Sequence, residues 1–134
     1  MSKLSAFLNP APIQEEKDVV VSKRFTDEDG NVVPFRIRSM SQEETEAITK
    51  KATIREKVNG VVQERIDSAA FARLMVVAAT VEPNFSSTEL CQRYGTLDPS
   101  LVPGKMLRAG EFNALLKEIS QLSGVSGLGD EVKN

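Results

Sequence analysis

The stretch from Arg24 to Ser39, "RFTDEDGNVVPFRIRS", decides how the chain is read. Its knot, Asp27-Glu28-Asp29-Gly30-Asn31, is either a calcium loop between two helices or a turn between two strands. A calcium loop of the helix-loop-helix type needs oxygen ligands at its first, third and fifth positions, Gly at the sixth and a bidentate Glu at the twelfth. Counting from Asp27 places Asp29 third and Asn31 fifth, but Val32 sixth and Arg38 twelfth. A cation thus stands where the closing ligand is required. The turn reading meets no such conflict, because Asp, Asn and Gly reach positive φ at the least steric cost. The knot therefore reads as the turn of a β-hairpin.

Both flanks agree with strands. Val19 to Phe25 is rich in β-branched residues. From Val32 to Ser39, Val33, Phe35 and Ile37 alternate with Arg36 and Arg38, the period of two of a half-buried strand. Pro34 cannot donate to a ladder, so it marks an edge or a strand start. The arginine face reads as solvated.

Beyond the hairpin the pattern turns helical. Ser41-Gln42-Glu43-Glu44 is a capping box for a helix running to about Thr53, with Ala47 and Ile48 as its apolar contacts. Asn59-Gly60, between Lys57-Val58 and Val61-Val62, fits a two-residue type I′ turn, which predicts a second, charged and exposed hairpin. Asp67 caps the most apolar helix, "SAAFARLMVVAATVE", with Arg73 and Thr80 as its wet edge; a helix apolar on nearly all sides is buried. Pro83 ends it. Ser86–Glu89 offers another capping box for a short helix through Tyr94, with Gly95 as its stop and Cys91 as a buried thiol. Pro99 and Pro103 frame a helical turn to about Leu107. Phe112, Leu115, Leu116, Ile119 and Leu122 form one stripe of a last helix that Gly124 ends. The expected fold is a small single α+β domain, an N-terminal β-hairpin followed by a mainly helical C-terminal part. Residues 1–18 read as an apolar peptide and linker, 19–124 as the domain, and 125–134 as a disordered tail.

Within residues 2–9, Leu4, Phe7 and Leu8 fall at helical spacing, and Pro10 and Pro12 stop the helix. Gln14 to Asp18 then reads as a polar, solvated connection. Two readings stand. Termini stay loose unless packed, which favours a helix folded back onto its own core. Yet the face is too small for a core, and a proline-stiffened tether suits a neighbour. Leu4, Phe7 and Leu8 are accordingly the candidate partner-binding residues.

Composition narrows the function. The 134 residues are 27% charged and 40% hydrophobic, with a formal net charge of −2. That balance lacks the basic field a general nucleic-acid binder needs. No segment approaches the length of a membrane span, and no secretory signal opens the chain. Cys91 is the lone cysteine, and the reading is cytosolic. With no His, the commonest general base and transition-metal ligand are missing, and Cys91 has no imidazole partner. Gly124, Gly127 and Gly129 lie in a polar tail and make no phosphate loop. Glu43, Glu44 and Glu46 are the densest carboxylates, but Glu43 and Glu44 diverge by about 100° around a helix, a poor chelate. The expectation is no enzyme, no metal and no cofactor.

The segments "LSAFLNP", "VVVSKRFTDEDGNVVPFRIRSMSQEE", "VVAATVEPNFSSTELCQRYGTLDP" and "MLRAGEFNALLKEISQLSG" together resemble the XkdN-like phage tail assembly chaperones. The resemblance is carried by Ser22, Arg24 and Phe25, by Val81-Glu82-Pro83, and by Gly110-Glu111-Phe112. Ala109 stands where a Pro is usual before the Gly-Glu pair. It implies a protein of a phage, prophage or phage-derived particle that binds the tape measure protein, keeps it soluble and helps recruit tail tube subunits in the cytoplasm of the bacterial host. It implies no catalytic residue, no nucleic acid and no membrane, and it leaves open a homo-oligomer and a longer frameshifted form. The alternative is a structural tail component retained in the particle.

Overall fold

The computed structural model describes residues 3–125; the expected disordered tail lies outside the described residues except for Val125. A short helix, α1 (Leu4–Leu8), precedes a three-stranded antiparallel sheet of β1 (Glu16–Val19), β2 (Phe35–Arg38) and β5 (Thr80–Glu82), in the order β1-β2-β5. Between β2 and β5 come α2 (Gln42–Ala52), the paired strands β3 (Thr53–Val58) and β4 (Val61–Ile66), and α3 (Ser68–Ala79). After β5 follow α4 (Thr88–Arg93), a 3-10 turn (Pro99–Leu101), α5 (Val102–Met106) and α6 (Ala109–Leu122). The protein is thus a small single α+β domain, with strands leading and helices dominating the C-terminal part. No described helix is long and apolar enough to cross a membrane.

The Asp-rich knot is a turn. Asp27 Oδ1 accepts from the amides of Asp29 and Asn31, both at 2.9 Å, and Gly30 takes φ +83°. Its strands lie elsewhere than the apolar runs suggest. Only Val19 of the run Val19–Phe25 belongs to β1, which begins at Glu16, inside the stretch expected to be a solvated link. Charged side chains hid this strand. Arg36 pairs with Glu16 and Asp18 across the ladder, and Lys17 reaches Glu118 on α6. Val20 to Val33 form an excursion from the sheet, closed by a bridge between Thr26 and Val32. Pro34, with no amide hydrogen, sits just before the ladder begins at Phe35.

The helices obey their caps with two exceptions. Ser41 and Glu44 close the capping box of α2, and Asp67 Oδ1 accepts from Ala70 N at 3.1 Å to start α3. On α2, Ile48 and Ala52 are buried while Ala47 faces out. The box expected at Ser86–Glu89 does not form; Ser87 caps α4 without its side chain, and Asn84 Oδ1 accepts from Ser86 N instead. The apolar helix ends at Ala79, earlier than expected, because Thr80–Glu82 add to β2 as a strand. Thr80 is therefore buried, not wet, its hydroxyl donating to Val76 O at 2.6 Å.

The core joins Phe35 and Ile37 of the sheet to Met75, Val76 and Ala79 of α3 and Leu115 and Ile119 of α6, with Phe85 and Val102 sealing one end. Each large side chain buried here contributes about 1.5–3 kcal/mol. Cys91 is buried beside them, its thiol donating to Phe85 O at 3.4 Å.

Candidate functional site

The N-terminal arm is tied to the sheet at one residue. The Ser39 hydroxyl donates to Ile13 O at 2.9 Å and accepts from Glu15 N at 2.8 Å, while Ser39 N donates to Glu15 O at 2.8 Å. Ser39 itself is buried, so the clasp lies partly out of water. Beyond it the chain leaves the body. Pro10 and Pro12 keep the connection non-helical, and α1 carries no buried residue. Leu4, Phe7 and Leu8 are 59%, 76% and 68% exposed. The helix therefore does not fold back onto its own core, and its three apolar side chains face outward together with Ile13.

A second exposed surface is the β3–β4 ribbon, two-stranded among the described residues. Asn59 and Gly60 both take positive φ, as the type I′ turn requires. Arg55–Glu64 and Glu56–Arg65 pair across the strands, so most of the ribbon's charge is neutralised internally. Val58, Val61, Val62 and Ile66 are left exposed along it.

A third feature is a small apolar cleft of about 160 Å³ at the N-terminal end of β2. Phe25, Val33, Pro34, Phe35, Pro83 and Met106 line it. The rings of Phe25 and Phe35 meet at 5.5 Å. Arg24 braces the wall: its guanidinium lies 4.8 Å over the Phe25 ring, donates to Met106 O at 3.1 Å and pairs with Glu111. That Arg24–Glu111 pair also joins two of the segments that carry the family resemblance. The Glu111 carboxyl is held down to about 2 by Arg24 first, then by Ser22 and the Arg108 amide.

Two of the acidic residues of α2, Glu44 and Glu46, are held in local contacts. Glu44 accepts a two-pronged contact from Arg38 and the amide of Ser41, and its carboxyl falls to about 2, with Arg38 the main cause. Glu46 accepts from Gln42 at 3.1 Å. Among the described residues no group of three or more acidic, Cys or His side chains is placed to hold a metal ion.

The stripe of Leu4, Phe7 and Leu8 was visible in the sequence. The cleft was not, because it draws on segments as far apart as Phe25 and Met106, and no local pattern marks it.

Comparison with known proteins places this architecture. The family model for phage XkdN-like tail assembly chaperone proteins matches residues 4–134. The chain is 36% identical over 124 residues to the protein YqbN of Bacillus subtilis (strain 168), covering 90% of this chain and 83% of that one. It is 32% identical over 138 residues to the phage-like element PBSX protein XkdN of the same organism, covering 98% and 93%. The crystal structure of YqbN matches with a TM-score of 0.79 at 30% identity, over 94% of this chain and 99% of that one.

Proposed function

The chain belongs to the XkdN-like phage tail assembly chaperones, and from that membership we propose that it binds the tape measure protein, keeps it soluble and assists tail tube assembly. The family match over residues 4–134 carries this reading. The exposed apolar surfaces support it. A tape measure protein is long and helical, and before the tube encloses it its apolar faces need cover. A soluble partner supplies that cover through helix faces and strand edges, without an active site. Leu4, Phe7 and Leu8 are the proposed partner-binding residues, and the valines of the β3–β4 ribbon offer a further apolar surface. The work is binding rather than catalysis, in the cytoplasm of the host, and the chaperone leaves before the particle is complete.

Co-purification tests the reading. A tagged tape measure protein from the same gene cluster, expressed with this chain, should bring it through affinity purification. Mass analysis of finished particles should find the chain absent. A chain that stays in the particle at fixed copy number, and does not accompany the free tape measure protein, would be a structural tail component instead.

A further inference from the structure

The β3–β4 ribbon leaves one edge open. Its two-residue turn makes Val58 and Val61 a hydrogen-bonded pair, and the bond from Asp67 N to Ala52 O, at 2.8 Å, continues the ladder in the same phase. Val62, Glu64 and Ile66 therefore turn their amides and carbonyls outward. None of these groups has a hydrogen-bond partner among the described residues, and all of β4 is exposed. The register runs without a bulge and β4 holds no Pro, so the strand itself does not block an added one. The opposite edge differs. There the matching residues of β3 are Thr53, Arg55 and Lys57, and cations along an edge are such a block.

The side chains of the open edge are patterned. Val62, Glu64 and Ile66 share one face of the ribbon. Val62 and Ile66 are each more than half exposed. Between them, Glu64 Oε1 accepts from Arg55 Nε at 3.0 Å, while Oε2 has no partner among the described residues. The edge thus reads apolar, anionic, apolar, with one carboxylate oxygen unused.

This pattern works against a second β4. Antiparallel pairing must set outward-turned residues against outward-turned residues. Val62 opposite Ile66 puts Glu64 against its own copy. A slip one way puts Glu64 against Val62. A slip the other way puts Glu64 against Ile66 and Arg65 against Arg65. Like charges directly opposite destabilise a sheet.

We propose that the β4 edge adds an antiparallel strand from another protein, an extended segment of the pattern apolar-x-basic-x-apolar. Its central Lys or Arg sits opposite Glu64 and takes the unused Oε2, and its apolar residues cover Val62 and Ile66. Backbone bonds supply the contact and the three side chains select the segment. The inference stands apart from the chaperone reading, which asks for cover of a helical client, whereas this edge takes an extended one.

Nuclear magnetic resonance on the full chain tests it, with a capped synthetic peptide of sequence Ser-Thr-Val-Thr-Lys-Thr-Val-Thr-Ser as the probe. Titration should shift the amides of Val62, Glu64 and Ile66 saturably and slow their exchange with solvent. Replacing the peptide's Lys by Glu should weaken binding by about threefold to tenfold. Glu64→Gln should erase that preference. Gln keeps an acceptor for Arg55, and the ribbon's exposed strand lies outside the core, so unchanged melting confirms that the variant folds. A peptide N-methylated at its Lys and both Val residues should not bind, because those amides form the ladder.

No shift at millimolar peptide, or shifts centred away from β4, would overturn the proposal. So would equal binding of the Lys and Glu peptides, which removes the charge selection, or of the N-methylated one, which means apolar cover without a strand. Shifts of the same amides with chain concentration alone would give the edge to a second copy and overturn it as well. None of these outcomes touches the chaperone reading, which is judged by retention of the tape measure protein.

Discussion

Arg24 and Glu111 lie 87 positions apart and meet as a fork, with Arg24 Nη2 on Oε1 at 2.5 Å and Nε on Oε2 at 3.4 Å. The contact ties the excursion between β1 and β2 to the first turn of α6, where Glu111 also accepts from Arg108 N at 2.8 Å. It fixes the wall of the cleft and the start of the last helix at once.

That carboxylate makes stability depend on acid. Its folded value lies near 2, below the ordinary 4.5, so its contribution is complete above pH 4.5 and is lost as pH falls toward 2. Glu44 behaves alike. The urea midpoint of the wild-type chain should fall across this window. Glu111→Gln should start lower and fall less steeply, and adding Glu44→Gln should flatten the profile further. Parallel profiles for wild type and Glu111→Gln would show that the pair does not stabilise the fold.

Ser41 caps α2 through its own hydroxyl, which accepts from Glu44 N at 3.2 Å. Ser41→Ala removes that acceptor and should cost about 0.5–2 kcal/mol. For a chain of 134 residues, a loss of about 1 kcal/mol lowers the melting temperature by about 3–5 °C. Ser41→Asp, which can still cap, should recover most of it. Equal melting of wild type and Ser41→Ala would mean that the cap is replaced by solvent at no cost.

Asp27 spends one carboxylate oxygen on the amides of Asp29 and Asn31. Calorimetric titration with calcium should therefore give no micromolar binding, and Asp29→Ala should change nothing in it. Micromolar affinity that Asp29→Ala removes would turn the knot back into a metal site.

Local chemistry made much of this fold legible in advance. The Ser41 box, the Asn59-Gly60 turn and the Leu115–Ile119 stripe are set by neighbours in sequence, and the structure has each where the residues put it. What escaped depends on distant partners. Glu16–Asp18 look like a solvated link until Arg36 and Glu118 are known to lie beside them. Thr80 reads as the wet edge of a helix until β2 offers it a ladder, and its buried hydroxyl is then satisfied by Val76 O. The exposed apolar surfaces divide in the same way. Leu4, Phe7 and Leu8 announce a face by their spacing, whereas the cleft exists only once four segments have folded together.

The most direct test of the chaperone account is the soluble fraction of the tape measure protein when it is expressed in bacteria with and without this chain. Expressed alone, the tape measure protein should pellet with the insoluble material. Co-expressed with the wild-type chain it should stay in the supernatant, and the triple substitution of Leu4, Phe7 and Leu8 by Ser should reduce that rescue while leaving the chaperone itself folded. A tape measure protein whose solubility is the same with the wild-type chain, with the variant and with neither would contradict the account.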